Sequence, residues 1–154
     1  MSPKDVGVDV EVRGEKKAAA DLAAIGERAD DIRDASYKVR TVYRKAEGRL
    51  FDVYGPGWPP LAESTRERKA RAGVDSRLMR ATGALFRAMT SPRASGQIDV
   101  RKPHELRFGT DLPYAIFHHV GKGVPKRLLI DLTPAERRQM TDELGDYIRK
   151  AETR

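Results

Sequence analysis

The sequence predicts a single α+β domain: a small antiparallel sheet packed against several helices. Three observations predict it. A two-residue apolar period appears near the start and again near residue 100, while three-and-four spacing runs through most of the rest. A Gly/Pro-rich stretch at 55–60 punctuates the chain without a composition shift that would mark a second domain. At 154 residues the chain is long enough to bury about 70% of the surface its unfolded form exposes, so one core suffices.

Val6, Val8, Val10 and Val12 alternate with Gly7, Asp9, Glu11 and Arg13, as a strand with one buried face requires. From Glu15 the period changes. Ala18, Leu22, Ile25, Ala29 and Ile32 form one helical stripe, which loses register at 30–36 and resumes as Val39, Val42 or Tyr43, Ala46 and Leu50. That pattern fits two helices or one kinked helix, with Asp34 or Ser36 as a cap for the second. Gly48 and then the 55–60 stretch are expected to stop it. A helix over 60–72 with Pro60 in its first turn, ended by Gly73, and a second over about 75–89 follow. Residues 91–96 connect to a hairpin, Ile98 and Val100 against Leu106 and Phe108, turning at Lys102, Pro103 and His104. Residues 113–120 read as a short helix or turn with Tyr114, Ile116, Phe117 and Val120 packing the core, followed by a turn at Gly121 and Gly123. Thr133, Pro134 and Glu136 are the start signal of a last helix carrying Met140, Leu144, Ile148 and Ala151.

Apolar residues make up 39% and charged residues 34%, and mean hydropathy is -0.63. No apolar run approaches the ~18 residues of a membrane span, and the first residues lack a signal-peptide core, so neither membrane insertion nor export is expected. Cysteine is absent, which excludes disulfides, thiolate catalysis and Cys-ligated zinc and fits a reducing compartment. The net charge is +7 and the isoelectric point about 9.8. The excess is local: residues 51–110 carry 11 basic and 6 acidic side chains, whereas both flanks are nearly balanced. Within 64–93, Arg66, Arg68, Lys69, Arg71, Arg77, Arg80, Arg87 and Arg93 oppose only Glu67 and Asp75. This basic helical segment, about 60–93, is where an electrostatic partner is expected. The basic side chains can pair with acidic surfaces of neighbouring subunits, contact phosphates, or simply solvate a helix face.

The remaining chemistry is sparse. His118 and His119 are adjacent, whereas chelation from one helix face wants a spacing of three or four. Gly121, Lys122 and Gly123 lack the helix and Ser/Thr of a phosphate loop. No Gly-x-Ser-x-Gly is present, and the carboxylate pairs Asp30 with Asp31 and Asp142 with Glu143 fall on solvated helix faces. No enzyme, cofactor or metal is therefore expected. Trp58, among prolines, is a candidate interface anchor, against the plainer and preferred reading that it covers its own core.

Several words occur in order in the second half: Trp58, Pro59, Pro60 and Leu61 followed by Thr65 and Lys69; Thr82, Gly83, Ala84 and Leu85; Tyr114 and Ala115 running to Gly121; and Pro125, Lys126 and Arg127. In this order and spacing, over about residues 55–150, the chain resembles the tail-completion (virion morphogenesis, neck or head-tail joining) proteins of tailed bacteriophages. Where such proteins continue with Pro-Phe-Leu, this chain has Leu128, Leu129 and Ile130, and a buried strand is expected there.

The resemblance implies a virion protein that is assembled in the host cytoplasm and catalyses nothing. Its subunits would form a ring, by resemblance a hexamer, at the head-tail neck or top of the tail. Its neighbours would be connector or stopper proteins and tail terminator or tail-tube proteins, with genome DNA passing through the channel unread. The alternative reading is a DNA-binding regulator, because Ala72, Gly73 and Val74 formally separate two basic helices over 60–90.

Overall fold

The computed structural model describes residues 16–52, 55 and 57–150. The strand expected at 6–12 lies outside them. The first helix, α1, is the Ala-rich run Lys16–Asp30. The break at 30–36 separates two helices: a 3₁₀ turn, Arg33–Ala35, leads directly into α2, Ser36–Asp52. No side chain caps the start of that turn at Ile32. The junction is held from outside instead, by Ile32 N–H donating to Pro103 O at 2.9 Å.

Helix α2 is the centre of the fold. Its stripe of Val39, Val42, Tyr43, Ala46, Leu50 and Phe51 is buried at helical spacing. The helix runs through Gly48, contrary to the expected stop, because Leu50 and Phe51 beyond it are fully buried. Their burial outweighs a glycine penalty of about 1 kcal/mol. Helix α6, Pro134–Arg149, packs antiparallel on α2, with Arg49 paired to Glu136 at 2.8 Å and Lys38 to Glu143 at 3.4 Å. Its start is the predicted capping box: Glu136 N–H donates to the Thr133 hydroxyl and Thr133 N–H to the Glu136 carboxylate.

Helix α3 is shorter than expected, Glu63–Arg71, leaving Pro60 in the preceding loop. It does end at Gly73, whose φ is +62°. The helix expected over 75–89 forms only as α4, Ala84–Thr90. The reason is local. The Asp75 carboxylate accepts from Arg77 N–H and from its guanidinium, Met79 sits at φ +58°, and Gly83 enters α4 at φ +74°. Side-chain bonds to the backbone compete there with helix formation.

The hairpin is as predicted: β1, Gln97–Lys102, and β2, Glu105–Thr110, are antiparallel with Gln97 opposite Thr110 and Lys102 opposite Glu105. It leans on α4 and α2, where Arg40 pairs with Asp99 at 2.6 Å. Helix α5 is Ala115–Val120. The core gathers Tyr43, Phe51, Trp58, Leu78, Leu85, Met89, Ala115 and Leu129, with Phe51 edge-on to both Trp58 and Phe86.

Two expectations about burial fail. Of residues 113–120 only Ala115 is buried; Tyr114, Ile116, Phe117 and Val120 are all exposed, Ile116 by 56%. Residues 128–130 form no strand, and Leu129 alone is buried while Leu128 and Ile130 face outward. The physical reason is shared. Among the described residues the sheet has two strands, too small a layer to cover both faces of what packs beside it.

Candidate functional site

A groove of about 670 Å³ opens between α3, the segment 79–85, α5 and residues 124–127. Its floor is apolar, from Leu61, Met79, Leu85, Tyr114 and Val124. Of the residues in the words that carry the family resemblance, Pro60, Leu61, Thr65, Lys69, Thr82, Ala84, Leu85, Tyr114, Pro125 and Arg127 line it. Four others stand behind it as framework. Ala115 and Trp58 belong to the core cluster, Gly83 is the left-handed residue that turns the chain into α4, and Gly121 ends α5 at φ +79°. A side chain at Gly121 would also press on Lys126, so glycine there serves both turn and close approach.

Two reciprocal bonds tie the loop before α3 to the segment after α5. Trp58 Nε1 donates to Leu128 O at 3.1 Å, and Arg127 Nη2 donates to Pro59 O at 3.0 Å. Arg127 N–H also reaches His118 O at 2.8 Å, and His119 Nδ1 accepts from Leu129 N–H at 3.2 Å. Trp58, raised as an interface anchor, is therefore spent on its own fold, only 9% exposed, packed at right angles to the Phe51 ring and hydrogen-bonded through its nitrogen.

The electrostatics of the groove are one-sided. Arg68, Lys69, His118 and Arg127 line it, and no Asp or Glu does. Arg127 is 4% exposed, and burial pulls its pKa below the ordinary guanidinium value. Burial, followed by the Arg127 charge, lowers that of His118, which favours the neutral imidazole. Arg127 Nε and His118 Nδ1 are both buried without a hydrogen-bond partner. Sequence reasoning missed His118, Met79 and Val124 here, since neither period nor motif distinguishes them.

The predicted basic cluster does not act as one surface. Lys69 is buried and donates to Asp75 O and Arg77 O at 2.8 and 2.6 Å, fastening the loop after α3. Arg80 is buried too, paired with Asp52 at 2.9 Å and lying 3.8 Å over the Phe86 ring. Arg66 pairs with Glu63, Arg71 with Glu67 at 3.3 Å, and Arg77 with Asp75 at 2.6 Å. Arg68, Arg87 and Arg93 are exposed with no ion pair among the described residues, and of these three Arg68 lines the groove. The two basic helices of a helix-turn-helix are likewise not formed, because residues 74–83 between α3 and α4 are not helical.

On the far side of α5 a second, apolar cavity of about 430 Å³ runs between the helix and the hairpin, lined by Ile98, Phe108, Ile116 and Ile130 among others. Helix α5 thus separates two concave surfaces. Among the described residues no cluster of three or more His, Asp or Glu side chains is placed to hold a metal ion, and no helix is long and apolar enough to cross a membrane. What the groove offers chemically is apolar contact combined with cationic hydrogen-bond donors. No family model, curated protein or solved structure matches the chain.

Proposed function

We propose that this chain is a non-enzymatic structural subunit of a tailed-bacteriophage virion, acting at the neck or the top of the tail and associating head to tail into a closed ring. One observation carries the reading. Words scattered between residues 61 and 127, which resemble those of tail-completion proteins, converge on the walls of a single groove. Apolar side chains left open beside it, Ile116, Phe117 and Val120 on α5, are the kind of surface that assembly covers. The regulator reading loses its structural basis with the helix pair, and Lys69 and Arg80 are turned inward away from any phosphate.

The test is assembly. Purified chain examined by light scattering and negative-stain microscopy should give closed rings, and mass spectrometry of purified particles should find it. A chain that stays monomeric at all concentrations and is absent from particles overturns the proposal. Titration with duplex DNA should give weak, sequence-blind and steeply salt-dependent binding, and a specific site at physiological salt would favour a regulator instead.

A further inference from the structure

The groove beside α3 has a chemistry that specifies its occupant. Its floor is apolar, its charged residues are all cationic, and it holds the unpaired Arg68. A segment that is apolar on one face and anionic on the other matches that chemistry. This chain contains such a segment outside the described residues. Residues 6–12 alternate Val6, Val8, Val10 and Val12 with Gly7, Asp9 and Glu11, so that an extended conformation puts four valines on one face and both carboxylates on the other. No basic residue interrupts those seven positions.

We infer that the groove of one copy receives residues 6–12 of the next copy. The valines lie on Leu61, Met79, Leu85 and Tyr114, and Asp9 or Glu11 meets Arg68. The inference rests on the head-to-tail association proposed above, though not on its virion setting.

The head-to-tail association proposed above, in which unlike surfaces of two copies meet, favours a second copy over the chain's own segment. The C-terminal end of α1 is anchored, by Arg28 on Tyr147 O at 2.9 Å and by Ile32 on the hairpin turn at Pro103. Its packing is chiefly against α6, whereas α3, α4 and α5 build the groove. Lys16 lies at the far end of a fifteen-residue helix, about 22 Å along. Leu22 on that helix is 53% exposed. A heterologous, head-to-tail contact places a segment of one copy on a different surface of the next, with no symmetric partner patch needed.

The absence of native cysteine makes the test clean. Two full-length variants are prepared separately, Val10→Cys and Ala81→Cys, the latter at an exposed groove position. Mixed under mild oxidation, they should form a cross-copy disulfide. An excess of synthetic peptide covering residues 4–13 should suppress it, and adding Arg68→Glu to the Ala81→Cys chain should slow it about tenfold or more, with circular dichroism unchanged. The inference is overturned if the mixture yields no cross-copy disulfide. It is equally overturned if a double Val10→Cys, Ala81→Cys chain closes only internally, or if the bond forms at an unchanged rate with peptide or with Arg68→Glu. Failure of the virion reading is separable. Particles that contain the chain but show no cross-copy bond remove this inference alone, and a cross-copy bond in a chain that never enters particles removes the virion reading alone.

Discussion

Glu47 sits in the middle of α2, 0% exposed, and neither carboxylate oxygen has a hydrogen-bond partner. Burial pushes its pKa from 4.5 up to about 8; Arg49 offsets part of this, and the charges of Glu136 and Asp131 add to it. The folded protein therefore holds a proton on Glu47 that the unfolded chain has lost over the interval from pH 4.5 to 8. The stability that Glu47 contributes is full below pH 4.5 and is lost as pH rises through that interval. At about 1.4 kcal/mol per pH unit the loss reaches about 3 kcal/mol at pH 7 and about 5 kcal/mol above pH 8, a large part of a typical domain's stability. Glu47→Gln removes the titration and keeps the shape. Urea denaturation followed by Trp58 fluorescence in steps from pH 5 to 9 should show a falling midpoint in the native chain and a flatter one in the variant. The two should nearly agree at pH 5 and diverge by several kcal/mol at pH 9. Below pH 4.5 Glu136, held down to about 2 chiefly by its bond from Arg49, works with opposite sign and costs stability as pH falls, which is why the steps begin at pH 5. Parallel pH profiles for the two proteins would refute the reasoning.

Lys69→Met should cost about 1–3 kcal/mol in the same assay by stranding the carbonyls of Asp75 and Arg77, whereas Arg66→Gln, which removes an exposed pair, should stay within about 0.5 kcal/mol. Trp58→Ala should cost about 3–5 kcal/mol as a core truncation, read by thermal melting followed in far-ultraviolet circular dichroism. Gly55→Ala should also lower the melting temperature, since its φ of +65° disfavours a side chain and the new Cβ would collide with the Trp58 indole. Thr133→Ala should lose about 1 kcal/mol with the capping box and fray the start of α6, visible as faster amide exchange at Glu136.

Elements whose identity is decided locally were legible in the sequence. The alternation around Val100 and Phe108 became the hairpin, the Thr133 to Glu136 box started α6, and the stripe of Val39, Val42, Ala46 and Leu50 became the buried face of α2. Where distant packing or a competing local bond decides, the sequence misled. Gly48 reads as a stop until Phe51 is seen to be buried beyond it, and the helix expected over 75–89 is cut short by the Asp75 to Arg77 turn, which excludes a helix there. Composition counts Lys69, Arg80 and Arg68 alike, yet the first two point into the fold and only the third stands open at the groove. The family words were visible one by one. Their convergence on one groove depends on chain crossings that no local pattern encodes, and the exposure of Phe117 and Ile116 depends on how little sheet lies beside them.

The crossed bonds from Trp58 to Leu128 and from Arg127 to Pro59 link positions 70 and 68 residues apart. Each side chain holds the other's stretch of backbone, so the loop before α3 and the segment after α5 separate only when both bonds break. A guest lying between them therefore meets two walls whose spacing folding has already set, and the ordering entropy of that spacing is borne before it arrives.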